Sequence, residues 1–77
     1  MNIDQLRLKL NELEIKKDAY SLLSSPKDET YCLEYKFGQW SYFYSERGQR
    51  SGEKVFSNEC EACIYFYDQI TSDPTVK

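Results

Sequence analysis

The chain has 77 residues, of which 40% are hydrophobic, 30% charged and 16% aromatic, with a formal net charge of −3. A domain this small buries only about 60% of its unfolded surface, so little stability is left over to hold a strained catalytic centre. The absence of histidine also removes the commonest general base and the commonest metal ligand. The bases are interleaved with acids rather than gathered on one face, which argues against a nucleic-acid binder and favours a basic protein partner.

Met1-Asn2-Ile3-Asp4 has neither the basic nor the apolar region of an export signal, and no run approaches the ~18 apolar residues of a membrane span. Cys32, Cys60 and Cys63 are an odd number for a disulfide framework. These features predict a cytoplasmic protein away from membranes.

In chain order, Ile3, Leu6, Leu10 and Leu13 recur at helical spacing and predict a helix from Ile3 to about Ile15, with Asn2 as its cap and Gln5 completing a capping box. Tyr20-Ser21-Leu22-Leu23 reads as an extended piece, and the segment from Ser24 through Pro26 to Glu29 as a loop. Thr30 to Phe37 and Trp40 to Arg47 are β-rich runs around Gly38-Gln39, a pair suited to a type II′ hairpin. That turn sets Phe37 opposite Trp40, Tyr35 opposite Tyr42, Leu33 opposite Tyr44 and Tyr31 opposite Glu46 on an aromatic face. Lys36, Glu34, Cys32 and Thr30 then meet Ser41, Phe43, Ser45 and Arg47 on a mostly polar face. Gly48 to Gly52 reads as a looser turn, and Glu53 to Phe56 as a short third strand. Asn58, with Glu61 in the capping-box position, opens a last helix whose apolar stripe is Ala62, Cys63, Phe66, Tyr67 and Ile70.

The expected architecture is α+β: one domain over 1–70 in the order α-β-β-β-α, with a three-stranded antiparallel sheet, two helices packed on its aromatic face, and a flexible tail over 71–77. Double-stranded-RNA-binding domains share this order. They place a lysine-rich helix start against phosphates, where this chain has Asn58-Glu59-Cys60-Glu61.

Few residues point to chemistry. Cys60-Glu61-Ala62-Cys63 is a CxxC at a helix start, but Glu59 and Glu61 disfavour a thiolate and no βαβ unit precedes it. Cys32, Cys60 and Cys63 would give a metal only three ligands. The carboxylate pairs Asp28 with Glu29 and Glu59 with Glu61 fit solvation or a helix dipole, and Ser45 has no visible base. No catalytic residue, metal site or cofactor is expected. The seven Tyr, four Phe and one Trp are a heavy aromatic load. Most of it suits a small core, while Phe43 beside Glu34 on the polar face, and Trp40 and Phe37 at the hairpin tip, fit an interface.

The run Gly38-Gln39-Trp40-Ser41-Tyr42-Phe43-Tyr44-Ser45-Glu46-Arg47-Gly48, with Phe56 and Glu61-Ala62-Cys63 after it and Asp18-Ala19-Tyr20-Ser21-Leu22 and Tyr31-Cys32-Leu33-Glu34 before it, resembles small immunity proteins of bacterial polymorphic-toxin and contact-dependent growth-inhibition systems. The resemblance spans roughly 5–70 and is sharpest at Tyr44-Ser45-Glu46-Arg47-Gly48. It departs at Ser41-Tyr42, where that pattern has an acidic and then an aliphatic residue, and at Pro26-Lys27. It implies a non-catalytic inhibitor, a monomer or weak homodimer, that occludes the C-terminal toxin domain delivered by sibling cells, often a nuclease with a basic cleft. Glu34 and Phe43 on the free sheet face, Trp40 at the tip, and Glu46 with Arg47 at the strand end are the expected toxin-binding residues. Arg47 has a competing structural reading, tying down the following loop while Gly48 supplies a positive φ. The alternative function is a small intracellular adaptor or regulatory domain, homodimeric through its aromatics or an edge strand.

Overall fold

The computed structural model describes residues 1–24 and 27–76; the loop expectation at Ser25 and Pro26 lies outside the described residues. Asn2 opens helix α1 (Ile3–Glu12) with its side chain accepting from the Gln5 N–H at 2.8 Å, and the Gln5 side chain accepts from the Asn2 N–H at 3.0 Å, closing the expected capping box. The helix stops short of Ile15. Glu14 takes the left-handed conformation (φ 57), its N–H donates to the Asn11 carbonyl, and the Ile15 N–H donates back to Leu10. This is a Schellman ending, in which the buried Ile15 and Leu10 also meet in the core.

After a 3-10 turn at Lys17–Ala19 come β1 (Tyr20–Leu22), β2 (Thr30–Lys36), β3 (Gln39–Glu46) and β4 (Gln49–Phe56), and then α2 (Glu59–Thr71). The sheet is four-stranded and mixed, in the order β1-β2-β3-β4. The expected three-stranded antiparallel sheet therefore gains a member: the extended piece at Tyr20 pairs parallel to β2, with Tyr20, Ser21 and Leu22 against Tyr31, Cys32 and Leu33. At three residues β1 is short, so its parallel pairing with β2 does not need the long crossover that parallel strands usually need.

The β2–β3 register is also corrected. Phe37 (φ 54) and Gly38 (φ 75) form the turn, so Lys36 faces Gln39, Tyr35 faces Trp40, Leu33 faces Tyr42 and Tyr31 faces Tyr44. Positive φ at both central positions is the type I′ hairpin, whose twist suits the flanking strands. The slip from the expected register is two residues at the partner strand, a full side-chain period, so every residue keeps its face. A second tight turn, Arg47 (φ 51) and Gly48 (φ 78), starts β4 earlier than expected and places Glu46 opposite Gln49.

One face of the sheet carries the core. Leu6 and Leu10 of α1 and Ala62, Cys63, Phe66 and Ile70 of α2 pack with Leu22, Leu33, Trp40 and Tyr42. Tyr42 is the aromatic hub, with edge-on rings at Tyr65 (4.9 Å) and Phe66 (6.1 Å). Of the tail expected to be flexible over 71–77, Thr71 closes α2 and the described residues after it make contacts with the rest of the fold. Pro74–Val76 forms a 3-10 turn, Val76 is buried, its carbonyl accepts from the Lys16 N–H at 2.8 Å, and the Tyr31 hydroxyl donates to Asp73 at 3.0 Å. Among the described residues no helix is long and apolar enough to cross a membrane.

Candidate functional site

The sheet face turned away from the helices is not a bare polar surface. Phe43, expected to be an exposed anchor there, is only 1% exposed. Its neighbour strand is irregular here and an arginine covers the ring. Between the Tyr42–Lys54 and Tyr44–Ser51 pairs, Gly52 (φ 62) and Glu53 together oppose Phe43, which sharpens the twist of β4. The guanidinium of Arg50 lies over the Phe43 ring, 4.1 Å from its centre, and is held by Glu34 at 2.9 Å and Glu53 at 3.2 Å. Glu34 is thus a largely buried partner of Arg50, with Lys36 a looser one at 3.7 Å. Cys32, Thr30, Ser45 and Ser21 are buried on the same face, and the Thr30 hydroxyl donates to the Lys27 carbonyl at 2.7 Å.

The other expected site residues separate. Trp40 is 9% exposed, because it is roofed by Tyr35 (4.7 Å) on one strand and paired with Phe56 on the next. Glu46 and Arg47 are exposed at the far end of β3, roughly 20 Å from Trp40 at about 3.3 Å per residue. The positive φ expected of Gly48 is present, but Arg47 has one too, as the other central residue of the turn. The structure therefore brings Glu34 and Phe43 together inside a packed cluster and leaves Trp40 and Glu46-Arg47 at opposite ends of a strand.

A different surface collects what an interface needs. From the β2–β3 tip, a line of rings runs from Tyr35 to Trp40 (4.7 Å), across the ladder to Phe56, and on to Tyr65 of α2 (5.4 Å). Phe56, Tyr65, Tyr67 and the half-exposed Ile64 line a groove of about 480 Å³ bordered by Glu61 and Asp68. At the tip, Phe37 is 100% exposed and Tyr35 53% exposed. Apolar, ring-rich ground with acids at its margin is the anatomy of a protein-binding patch. The sequence held two signals for it. Ile64 is an aliphatic residue off the apolar stripe of α2, and Phe37-Gly38 is the alternative placement of the turn glycine.

The titratable groups fit structural roles. Burial pushes the Cys63 thiol up to about 11, and burial also raises the Cys32 thiol. Cys32 lies on the opposite sheet face from Cys63, so the three cysteines do not converge, and among the described residues no cluster of His, Cys, Asp or Glu is placed to hold a metal ion. Cys60 is exposed, with its sulfur 3.1 Å from the Met1 amine. Glu59 accepts from the Ile3 N–H at 2.8 Å and pins the start of α1 to the start of α2. Asp73 is held below the ordinary carboxylate value by the Thr75 hydroxyl and N–H and by Tyr31. At neutral pH a soluble thiol reagent is expected to modify Cys60 promptly, and Cys32 and Cys63 only as fast as the fold opens. Mass spectrometry of a time course checks this, and equal rates at all three would contradict the packing described.

Comparison with protein-family models, with curated proteins and with solved structures finds no match.

Proposed function

We propose that this chain is a non-catalytic immunity-type protein that acts in the cytoplasm by binding a basic toxin domain, most simply a nuclease, and covering its active or substrate-binding surface. The observation that carries the reading is the line of rings from the β2–β3 tip to α2, which ends in a groove framed by Glu61 and Asp68. It offers apolar contact area at its centre and negative charge at its margin, which suits a positively charged cleft and speeds encounter with it. The motif resemblance at Tyr44-Ser45-Glu46-Arg47-Gly48 supports the same class of protein. The contact surface, however, moves from the Glu34–Phe43 face to the groove, because Phe43 and Glu34 are occupied within the fold. Glu46 and Arg47 stay exposed at the opposite end of β3 and can join the interface only at its margin.

An immunity role requires that a large secreted protein be encoded beside this chain, so the test is to sequence that neighbourhood and titrate the chain against the C-terminal domain of such a protein. A neighbourhood without one overturns the reading. A one-to-one complex is expected, weakening as salt rises, together with protection of cells that express that domain. Ile64→Asp and Asp68→Lys should each lower affinity at least tenfold with the melting temperature nearly unchanged, since both side chains sit on the exposed flank of α2. A chain that neither binds nor protects is not an immunity protein, and one that binds without protecting is an adaptor.

A further inference from the structure

We propose that Phe37 is the anchor of this interface, a ring that enters an apolar pocket on the basic surface of the partner protein; the proposal rests on the immunity reading above and names the residue on which its affinity depends. Phe37 occupies the first central position of a type I′ turn, with φ 54 and Gly38 following at φ 75. That position favours Asn, Asp and Gly, which tolerate the left-handed region, and it penalises a bulky side chain. The ring is 100% exposed, so packing within the fold returns nothing for that penalty. The other non-glycine residues with positive φ differ in kind. Glu14, Glu29 and Arg47 are charged surface residues, and Leu23 is tied into the sheet by its N–H, which donates to the Leu33 carbonyl at 2.9 Å. Among the described residues Phe37 alone combines a disfavoured backbone, an aromatic side chain and full exposure.

The surroundings say what such a ring fits. Tyr35, 53% exposed, lies two residues before it on β2 and packs at a tilt against Trp40, so the protruding ring is carried by a tight turn between paired strands and not by a long loop. The line of rings continues from Trp40 through Phe56 to the groove bordered by Glu61 and Asp68. The matching surface is therefore a protein with an apolar pocket deep enough for one phenyl ring and lysine or arginine side chains along the adjoining rim. An aromatic side chain that becomes fully desolvated in a partner's pocket is the kind of residue that dominates binding energy in protein complexes.

Phe37→Asn separates the role of the ring from its role in the fold. The substitution suits the turn, so the melting temperature should rise by about 3–6 °C. Affinity for the toxin domain that the immunity reading requires, measured by calorimetry with the full chain, should fall at least tenfold. Phe37→Trp should keep affinity within about threefold, since another large ring can fill the same kind of pocket. If the native chain binds and Phe37→Asn binds equally well, the anchor is wrong and the immunity reading stands. If the native chain does not bind that domain, the immunity reading falls and the anchor falls with it. A lower melting temperature for Phe37→Asn would overturn the premise that the ring is held at a cost to the fold.

Discussion

Phe43→Ala is expected to lower the folding free energy by about 3–5 kcal/mol, the usual cost of emptying a buried aromatic site. A chain of this size has roughly 4–11 kcal/mol in total, so a large share of its stability would go. The ring is 1% exposed and is enclosed by Cys32 across the ladder, by the bulge at Gly52 and Glu53, and by the Arg50 guanidinium. Removing it also takes the platform from beneath Arg50, leaving the Glu34–Arg50 pair to water. Urea unfolding followed by far-ultraviolet dichroism should show a large fall in the midpoint, whereas Phe43→Leu should cost less because it leaves a smaller cavity. An unchanged midpoint for Phe43→Ala would mean that this face is not packed as described. The same result governs any binding experiment: a loss of affinity in Phe43→Ala reports unfolding, not a lost contact.

Alkaline unfolding between pH 10 and about 12 is the second expected result. Burial pushes Tyr42 up to about 12, with the neighbouring Tyr65 adding to it, and burial and the bond to Asp73 push Tyr31 to about 12. A phenol raised in the folded state favours folding fully below its unfolded value of 10.0. That contribution is lost as pH climbs from there through the folded value, because the unfolded chain ionises first. For the buried Tyr42 a shift of two units corresponds to about 3 kcal/mol, while the half-buried Tyr31 contributes less. Tyrosinate absorbance and far-ultraviolet dichroism should therefore change together in the upper part of this range. Tyr42→Phe should move the midpoint to higher pH by removing one of the groups whose ionisation burial opposes; Tyr31, Tyr44 and the thiols of Cys32 and Cys63 remain. Full ionisation of all seven tyrosines with the helical signal intact would contradict the packing around Tyr42.

Both results depend on features that differ in how they could be foreseen. Asn2 with Gln5, and Asn58 whose side chain accepts from the Glu61 N–H at 2.8 Å, announce the two helix starts, since a cap and its partner lie within four residues. The aromatic face of the hairpin is legible as well. Alternation assigns Leu33, Trp40 and Tyr42 to one side whichever pair of residues makes the turn. The placement of the turn was not decided locally, because Gly38 suits either central position and nothing marks Phe37 for a left-handed conformation. Nor was the docking of Val76 against Lys16, which joins residues sixty positions apart, so the tail reads as loose until both ends are in place.

What the sequence alone determined are the α+β class, the two helices, the hairpin and the side of the sheet each residue takes, all products of periodicities shorter than five residues. Only the tertiary structure decided the parallel fourth strand, the burial of Phe43 and Glu34, and the groove at Phe56, Ile64 and Tyr65. Each of these depends on segments distant in the chain being brought together, β1 against β2, Arg50 over Phe43, and α2 over the end of β4. Contact energies of that kind are absent from local propensity. They arise only when the chain closes on itself and excludes water between the joined parts.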